Sequence, residues 1–174
     1  MNDLYPQSLP LFPRIRAYNL MRERFDLPGA LAGEENLLFI PFQQWQQTSV
    51  ESWLPMAEEL EHALPWLHYY ELPVIRQMNF LAQAFIDSGM RAGIPGDSTR
   101  RRTITLYTDK GEFRQALKIG SEDQLHIMLV NRQGRVSWRE RGPFSLDKAE
   151  GLLDQLTKFS HLRSFDQASL PAAA

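Results

Sequence analysis

Apolar and polar positions follow two rhythms along this chain, and the switches between them mark out its elements. Residues 125–130, Leu-His-Ile-Met-Leu-Val, form a near-continuous apolar run, which suits a strand covered on both faces. Asn131-Arg132-Gln133-Gly134 follows, and Asn and Gly tolerate the positive φ angles of a tight hairpin. Residues 135–140 alternate cleanly, which predicts a half-exposed strand nearer a sheet edge. After Gly142 and Pro143 the spacing becomes helical. Leu146, Ala149, Leu152, Leu153, Leu156 and Phe159 share a face that is expected to be buried, and Ser145 stands where a cap belongs.

Upstream, Pro6, Pro10 and Pro13 make residues 1–13 an extended N-terminal arm. Residues 14–25 alternate poorly and fit a short β-hairpin or a helical turn, the hairpin being favoured. Residues 37–42 are a second buried strand, with Pro41 tolerable only near its end. Thr48-Ser49-Val50-Glu51 has the capping-box pattern. It predicts a helix to about Leu64 that buries Val50, Trp53, Leu54, Ala57, Leu60 and Leu64 and bends at Pro55. Residues 67–72 are a strand stopped by Pro73. Met78, Leu81, Ala82, Phe85 and Ile86 mark a second amphipathic helix, ended by Gly89. Residues 93–98 are a loop, and 103–108 form a β-branched, aromatic strand. Asp109 with Glu112 caps a short helix carrying Phe113, Ala116 and Leu117 and closed by Gly120. Past Phe159 the pattern lapses, which predicts a flexible tail over 160–174.

The order β-α-β-α-β-α-β-β-α predicts a three-layer α/β/α sandwich with a mixed central sheet, closed by a β-hairpin and a helix. The domain spans 14–159.

Composition narrows the function. The chain has 174 residues, 43% hydrophobic and 23% charged, as one globular domain would. A net charge of −2 argues against general nucleic-acid binding. No apolar run approaches the roughly 20 residues of a transmembrane helix. Met1-Asn2-Asp3-Leu4-Tyr5-Pro6 lacks a basic start followed by an apolar stretch, so a cytoplasmic location is expected. There is no cysteine, which excludes disulfides, thiolate metal sites and thiol catalysis.

The layout resembles the thioredoxin-like superfamily, in the form of peroxiredoxins of the alkyl hydroperoxide reductase type. Those proteins insert a strand and short helix before the terminal hairpin, as residues 103–120 would. The resemblance covers residues 10–159. Within the superfamily, Trp53-Leu54-Pro55, Met78-Asn79-Phe80 and residues 129–138 look most like the assembly factors of the mitochondrial ATP synthase membrane sector. Those relatives are thioredoxin-like without a working dithiol. Setting Pro55 against the helix proline of redox members implies catalytic cysteine positions near Gln47 and Val50, and neither can be a nucleophile. Redox members also carry a cis-proline just before the hairpin strand. Here that region is Glu122-Asp123-Gln124-Leu125, without a proline.

The run Gln43-Gln44-Trp45-Gln46-Gln47 is unusually polar for a segment directly after a buried strand. It reads as a contact surface anchored by Trp45, or as a solvated loop with one packed tryptophan. Thr48 and Ser49 stand at a helix N-terminus, which favours an anion. In some glutathione-binding relatives a hydroxyl here contacts the ligand sulfur; the plainer role for Thr48 is the cap. The candidate binding residues are therefore Gln44, Trp45, Gln47, Thr48 and Ser49. Arg100-Arg101-Arg102 could hold a phosphate or an acidic partner, or be a solvated strand entry. His62, His68, His126 and His161 show no metal spacing, and His126 reads as a satisfied core residue. Glu58, Glu59 and Glu61 fit the solvated side of a helix. No phosphate-binding glycine loop or nucleophile elbow is present. The expectation is a non-catalytic protein, without cofactor or metal, that binds a protein partner as an accessory or assembly factor. Its rivals are a non-thiol enzyme or binder of glutathione or another small anion at Thr48/Ser49, and a structural homodimer.

Overall fold

A computed structural model describes residues 9–168. The hairpin expected near the start forms from β1 (Ile15–Asn19) and β2 (Arg24–Leu27), paired antiparallel. Then come β3 (Glu35–Ile40), α1 (Gln47–Ala63), β4 (Leu67–Glu71), β5 (Val74–Arg76), α2 (Phe80–Gly93), α3 (Asp97–Arg102), β6 (Ile104–Thr108) and α4 (Lys110–Ala116). The chain closes with β7 (His126–Asn131), β8 (Val136–Arg141) and α5 (Leu146–Ala168). The mixed α/β class is the expected one.

The strands form two four-stranded mixed sheets, ordered β4-β3-β7-β8 and β2-β1-β6-β5, with a parallel bridge between Glu71 at the end of β4 and Thr103 just before β6. Pro73 lies between β4 and β5 facing away from β3, and its carbonyl accepts the Leu106 N–H of β6 at 2.9 Å. The Leu72 N–H still donates to Phe39 O at 2.7 Å and the Val74 N–H to Pro41 O at 2.9 Å. Beyond that point β5 runs parallel to β6. Every residue of β3 is buried, the apolar run from Leu37 to Ile40 together with the polar Glu35 and Asn36. Leu38, Ile40, Val74, Ile104, Leu106, Met128 and Val130 meet in the main core. Trp53 of α1 is fully buried with its ring 6.4 Å from Phe39 and 6.3 Å from Trp138, and its indole N–H donates to Gly142 O at 3.1 Å. The β7–β8 turn requires Gly134. Its φ is +85°, and a Cβ there would stand 2.9 Å from Phe12 O.

Several helices depart from expectation. α1 begins at Gln47 with Gln46 as its cap residue, so Thr48 lies inside the first turn and the Thr48–Glu51 capping box does not form. A 3₁₀ turn, Gln44–Gln46, already winds the chain into the helix. α1 buries Val50, Trp53 and Ala57, while Leu54, Leu60 and Leu64 are half-buried. α2 runs on to Gly93, capped by Asn79, whose side chain accepts the Ala82 N–H at 2.9 Å. β5 forms where no element was expected, and α3 spans the end of the expected 93–98 loop and the arginine run read as a strand entry. In α5 the buried stripe is Ala149, Leu152 and Leu156; Leu146 is 73% exposed and Leu153 43%. The expected burial of Leu146 and Leu153 is therefore corrected. The stripe repeats at three and four residues, and Leu153 lies about 100° round the helix from Leu152. α5 also continues past Phe159, where the apolar spacing lapses.

Of the expected arm, residues 1–8 lie outside the described residues. Phe12 is buried and meets Phe113 edge-on at 5.9 Å. Residues 169–174 of the expected tail also lie outside them. Among the described residues no helix is long and apolar enough to cross a membrane.

Candidate protein-binding site

β3 delivers the chain to one end of its sheet at Pro41 and Phe42, both buried. The 3₁₀ turn follows, and Gln46 pins it in place. This side chain is fully buried; its Oε1 accepts the Phe42 N–H at 2.8 Å and its Nε2 donates to Glu122 O at 2.6 Å. A buried amide satisfied at both ends fixes the backbone that carries it. With Gln46 turned inward, its neighbour is turned outward. Trp45 is 63% exposed, so the packed-tryptophan reading does not hold.

Glu122 joins three segments. Its carboxylate accepts from Lys110 Nζ at 3.2 Å and from Gln43 Nε2 at 3.5 Å, and pairs with Arg114 Nη1 at 3.5 Å. Lys110 also donates to Phe42 O at 3.2 Å. The β3 exit, α4 and the loop before β7 are thereby tied together. Beside them lies an open groove of about 930 Å³ lined by Arg76, Met78, Thr108, Asp109, Lys110 and Glu122, among others. His126 is buried under the same corner, its ring edge-on to Phe42 at 5.9 Å and its Nε2 2.8 Å from Ser121 O. Burial pushes its pKa down. It is the core residue expected.

At the start of α1, Gln47 and Thr48 are exposed, Ser49 is half-buried and Val50 is buried. The Gln47 side chain hydrogen-bonds Glu71, the last residue of β4. Burial pushes the Glu71 carboxyl up to about 7, against the relief of that hydrogen bond, and the charge of Glu51 adds to the rise. Carboxylates thus stand beside the end of the helix that an anion would need.

The arginine cluster is engaged within the fold. Arg100 donates to Ile94 O and Arg91 O, each at 2.9 Å, and Arg101 reaches Glu23 at 3.1 Å. Arg102 grips Glu61 through both nitrogens at 2.7 and 2.6 Å and stands 4.2 Å from the Tyr69 ring centroid. Glu61, expected on a solvated face, is therefore half-buried in an ion pair.

The structure gathers Gln44, Trp45, Gln47, Thr48 and Ser49 on one turn and the helix start that follows. Sequence reasoning missed Gln46, Lys110 and Glu122, which hold that turn. Nothing in the sequence separates Gln46 from its neighbouring glutamines, because only the fold turns it inward.

No family model matches this chain, and no curated protein does. Solved structures do. BsSco, a member of the Sco family of cytochrome c oxidase assembly proteins, superposes with a TM-score of 0.60 at 14% identity, covering 88% of this chain and 95% of its own. The thioredoxin domain of a thiol-disulfide oxidoreductase from Bacteroides vulgatus gives 0.57 at 17% identity, over 87% of this chain and 99% of that one. The exposed lipoprotein thioredoxin of Streptococcus pneumoniae gives 0.54 at 12%, over 82% and 99%. The chain has a thioredoxin-like fold.

Proposed function

We propose that this is a non-catalytic thioredoxin-fold protein that works by binding another protein, as an accessory or assembly factor, through residues 43–49. One observation carries the reading: an exposed tryptophan on a turn whose backbone is pinned by a buried glutamine. Tryptophan is enriched among residues that dominate binding energy, and a pre-ordered backbone loses little entropy on binding. Gln44 beside it brings no charge to desolvate and can both donate and accept. Gln47, Thr48 and Ser49 extend the surface along the first turn of α1. The absence of cysteine supports redox silence, since Gln47 and Val50 stand near the positions a dithiol would need. The finer likenesses, to a peroxiredoxin-type layout and to ATP synthase membrane-sector assembly factors, belong to this proposal, as does a cytoplasmic location. The rival reading, glutathione or another small anion at Thr48/Ser49, is disfavoured by the carboxylates of Glu51 and Glu71 at that helix end.

The test is affinity capture from the source organism with three baits: wild type, Trp45→Ala, and Gln115→Ala as an exposed control on α4. A partner identified with wild type should bind Trp45→Ala more weakly by over 1 kcal/mol, roughly fivefold or more. Gln115→Ala should bind it normally, and all three baits should melt together. Equal binding by wild type and Trp45→Ala, or unfolding of that variant, sinks the assignment.

A further inference from the structure

α2 presents the wrong face to solvent. None of its 14 residues is buried, and every exposed position on it carries an apolar or small residue. Its two charged residues, Asp87 and Arg91, are half-buried, and Asp87 accepts the Tyr107 hydroxyl at 2.6 Å. Outside stand Phe80 at 80% exposure, Leu81 at 78% and Phe85 at 82%. A helix that turns its charges inward and three large apolar side chains outward presents a face that a partner would cover.

We propose that this face is covered by a second copy of the chain, α2 packing antiparallel on α2 across a twofold axis. The argument is the distribution of bulk. The large side chains occupy the N-terminal part of the helix and the small ones the C-terminal part, where a Cβ added at Gly89 or Gly93 would meet nothing within 4 Å. In one antiparallel register Phe80 lies opposite Gly93, Leu81 opposite Ala92 and Phe85 opposite Ser88. Each large residue then meets a small one, and the twofold repeats the match on the other side, as an isologous interface requires. Small residues also let the helix axes approach closely. A lipid surface fits less well. Interfacial helices are rich in Lys and Arg on the polar face, whereas α2 has no lysine and one half-buried arginine.

Size sets the strength. The phenylalanine rings, mostly exposed, would together remove roughly 500–800 Å² from water in the pair. With Leu81 and the small residues opposite added, the pair stays near the about 1,200 Å² at the low end of stable complexes. The dimer is therefore weak and reversible, with dissociation in the micromolar range. Sedimentation equilibrium across micromolar to millimolar protein should show monomer passing to dimer. Phe85→Lys and Leu81→Lys should each remain monomeric throughout while melting with wild type, since both side chains are exposed. The register has its own test, because the chain contains no cysteine. Leu81→Cys and Ala92→Cys, mixed in equal amounts and oxidised, should form the crossed disulfide many times faster than either variant alone forms its own. Any of four results would overturn the proposal: a wild type that stays monomeric, a dimer that survives both lysine variants, an 81–81 disulfide as fast as the crossed one, or monomeric wild type floating with anionic phospholipid vesicles.

Discussion

Replacing Glu71 by glutamine should convert a pH-sensitive fold into a less sensitive one, in a direction opposite to ordinary acid loss of stability. Glu71 ends β4 opposite Phe39 of β3, half-buried and hydrogen-bonded to Gln47 at the start of α1. Burial pushes it from the ordinary 4.5 up to about 7, with the Gln47 hydrogen bond opposing and Glu51 reinforcing the rise. A carboxyl raised in the folded state favours folding while it is protonated. Its contribution is complete below 4.5, the unfolded value, and is lost as pH rises through about 7. At about 1.4 kcal/mol per pH unit, that interval corresponds to roughly 3 kcal/mol. Glutamine keeps the shape and hydrogen bonding of the protonated acid and does not titrate. Glu71→Gln should therefore gain on wild type by about 3 kcal/mol between pH 5 and 8.

The measurement is urea unfolding of both proteins at several pH values, with the difference between them as the readout. The difference matters because His126 works the other way. Burial lowers its pKa, so its contribution is present above the ordinary 6.5 and is lost as pH falls. That effect is common to both proteins and cancels. Glu35 supplies an internal repeat: it is 4% exposed and also pushed up to about 7, first by burial and then by Glu34, with Ser137 and Arg135 opposing. Glu35→Gln should show the same rising difference. If the Glu71→Gln difference is flat across this range, or falls, the carboxyl is hydrated or paired at neutral pH and the reasoning is wrong.

Gln46→Leu should cost about 3 kcal/mol, because it leaves the buried Phe42 N–H and the Glu122 carbonyl each without a partner; an unchanged denaturation midpoint would mean the turn is not held by this side chain. In α5, Leu152→Asp should cost several kcal/mol and Leu153→Asp under about 1 kcal/mol, since the first is fully buried and the second 43% exposed; thermal melts of the pair decide it, and equal losses would refute the assigned stripe. The purified protein should neither consume peroxide nor reduce insulin, as both reactions need an attacking thiolate and the chain has none; turnover by a metal-free preparation would contradict this.

The strands that could be read from sequence were those whose pattern needs no partner to interpret. The apolar runs of β3 and β7 identify central strands by themselves, and β7 takes its place beside β3 in an antiparallel register from Glu35↔Asn131 to Ile40↔His126. The α4 cap was equally local: Asp109 accepts the Glu112 N–H at 2.9 Å. β5 was hidden because three residues after a proline are too few to show a period, and its pairing with β6 is decided at long range. Pairing of that kind is also what divides the strands into two sheets. At the site, Trp45 could be singled out, but the features that expose it could not. Gln46 is one of four similar glutamines, and Glu122 is far away in sequence; only the closed fold brings them together.

Periodicity has a further limit, and α2 and α5 meet it from opposite sides. A helical repeat says which residues share a face; it does not say what lies against that face. Leu152 and Leu153 both satisfied the spacing, and packing chose the first. In α2 the repeat correctly grouped Leu81 with Phe85, yet both face solvent. The usual inference from apolar to buried is a statement about free energy, and it holds for whatever assembly minimises exposed apolar area. If that assembly is a pair of chains, the sequence encodes burial correctly and the single chain is too small a unit in which to see it.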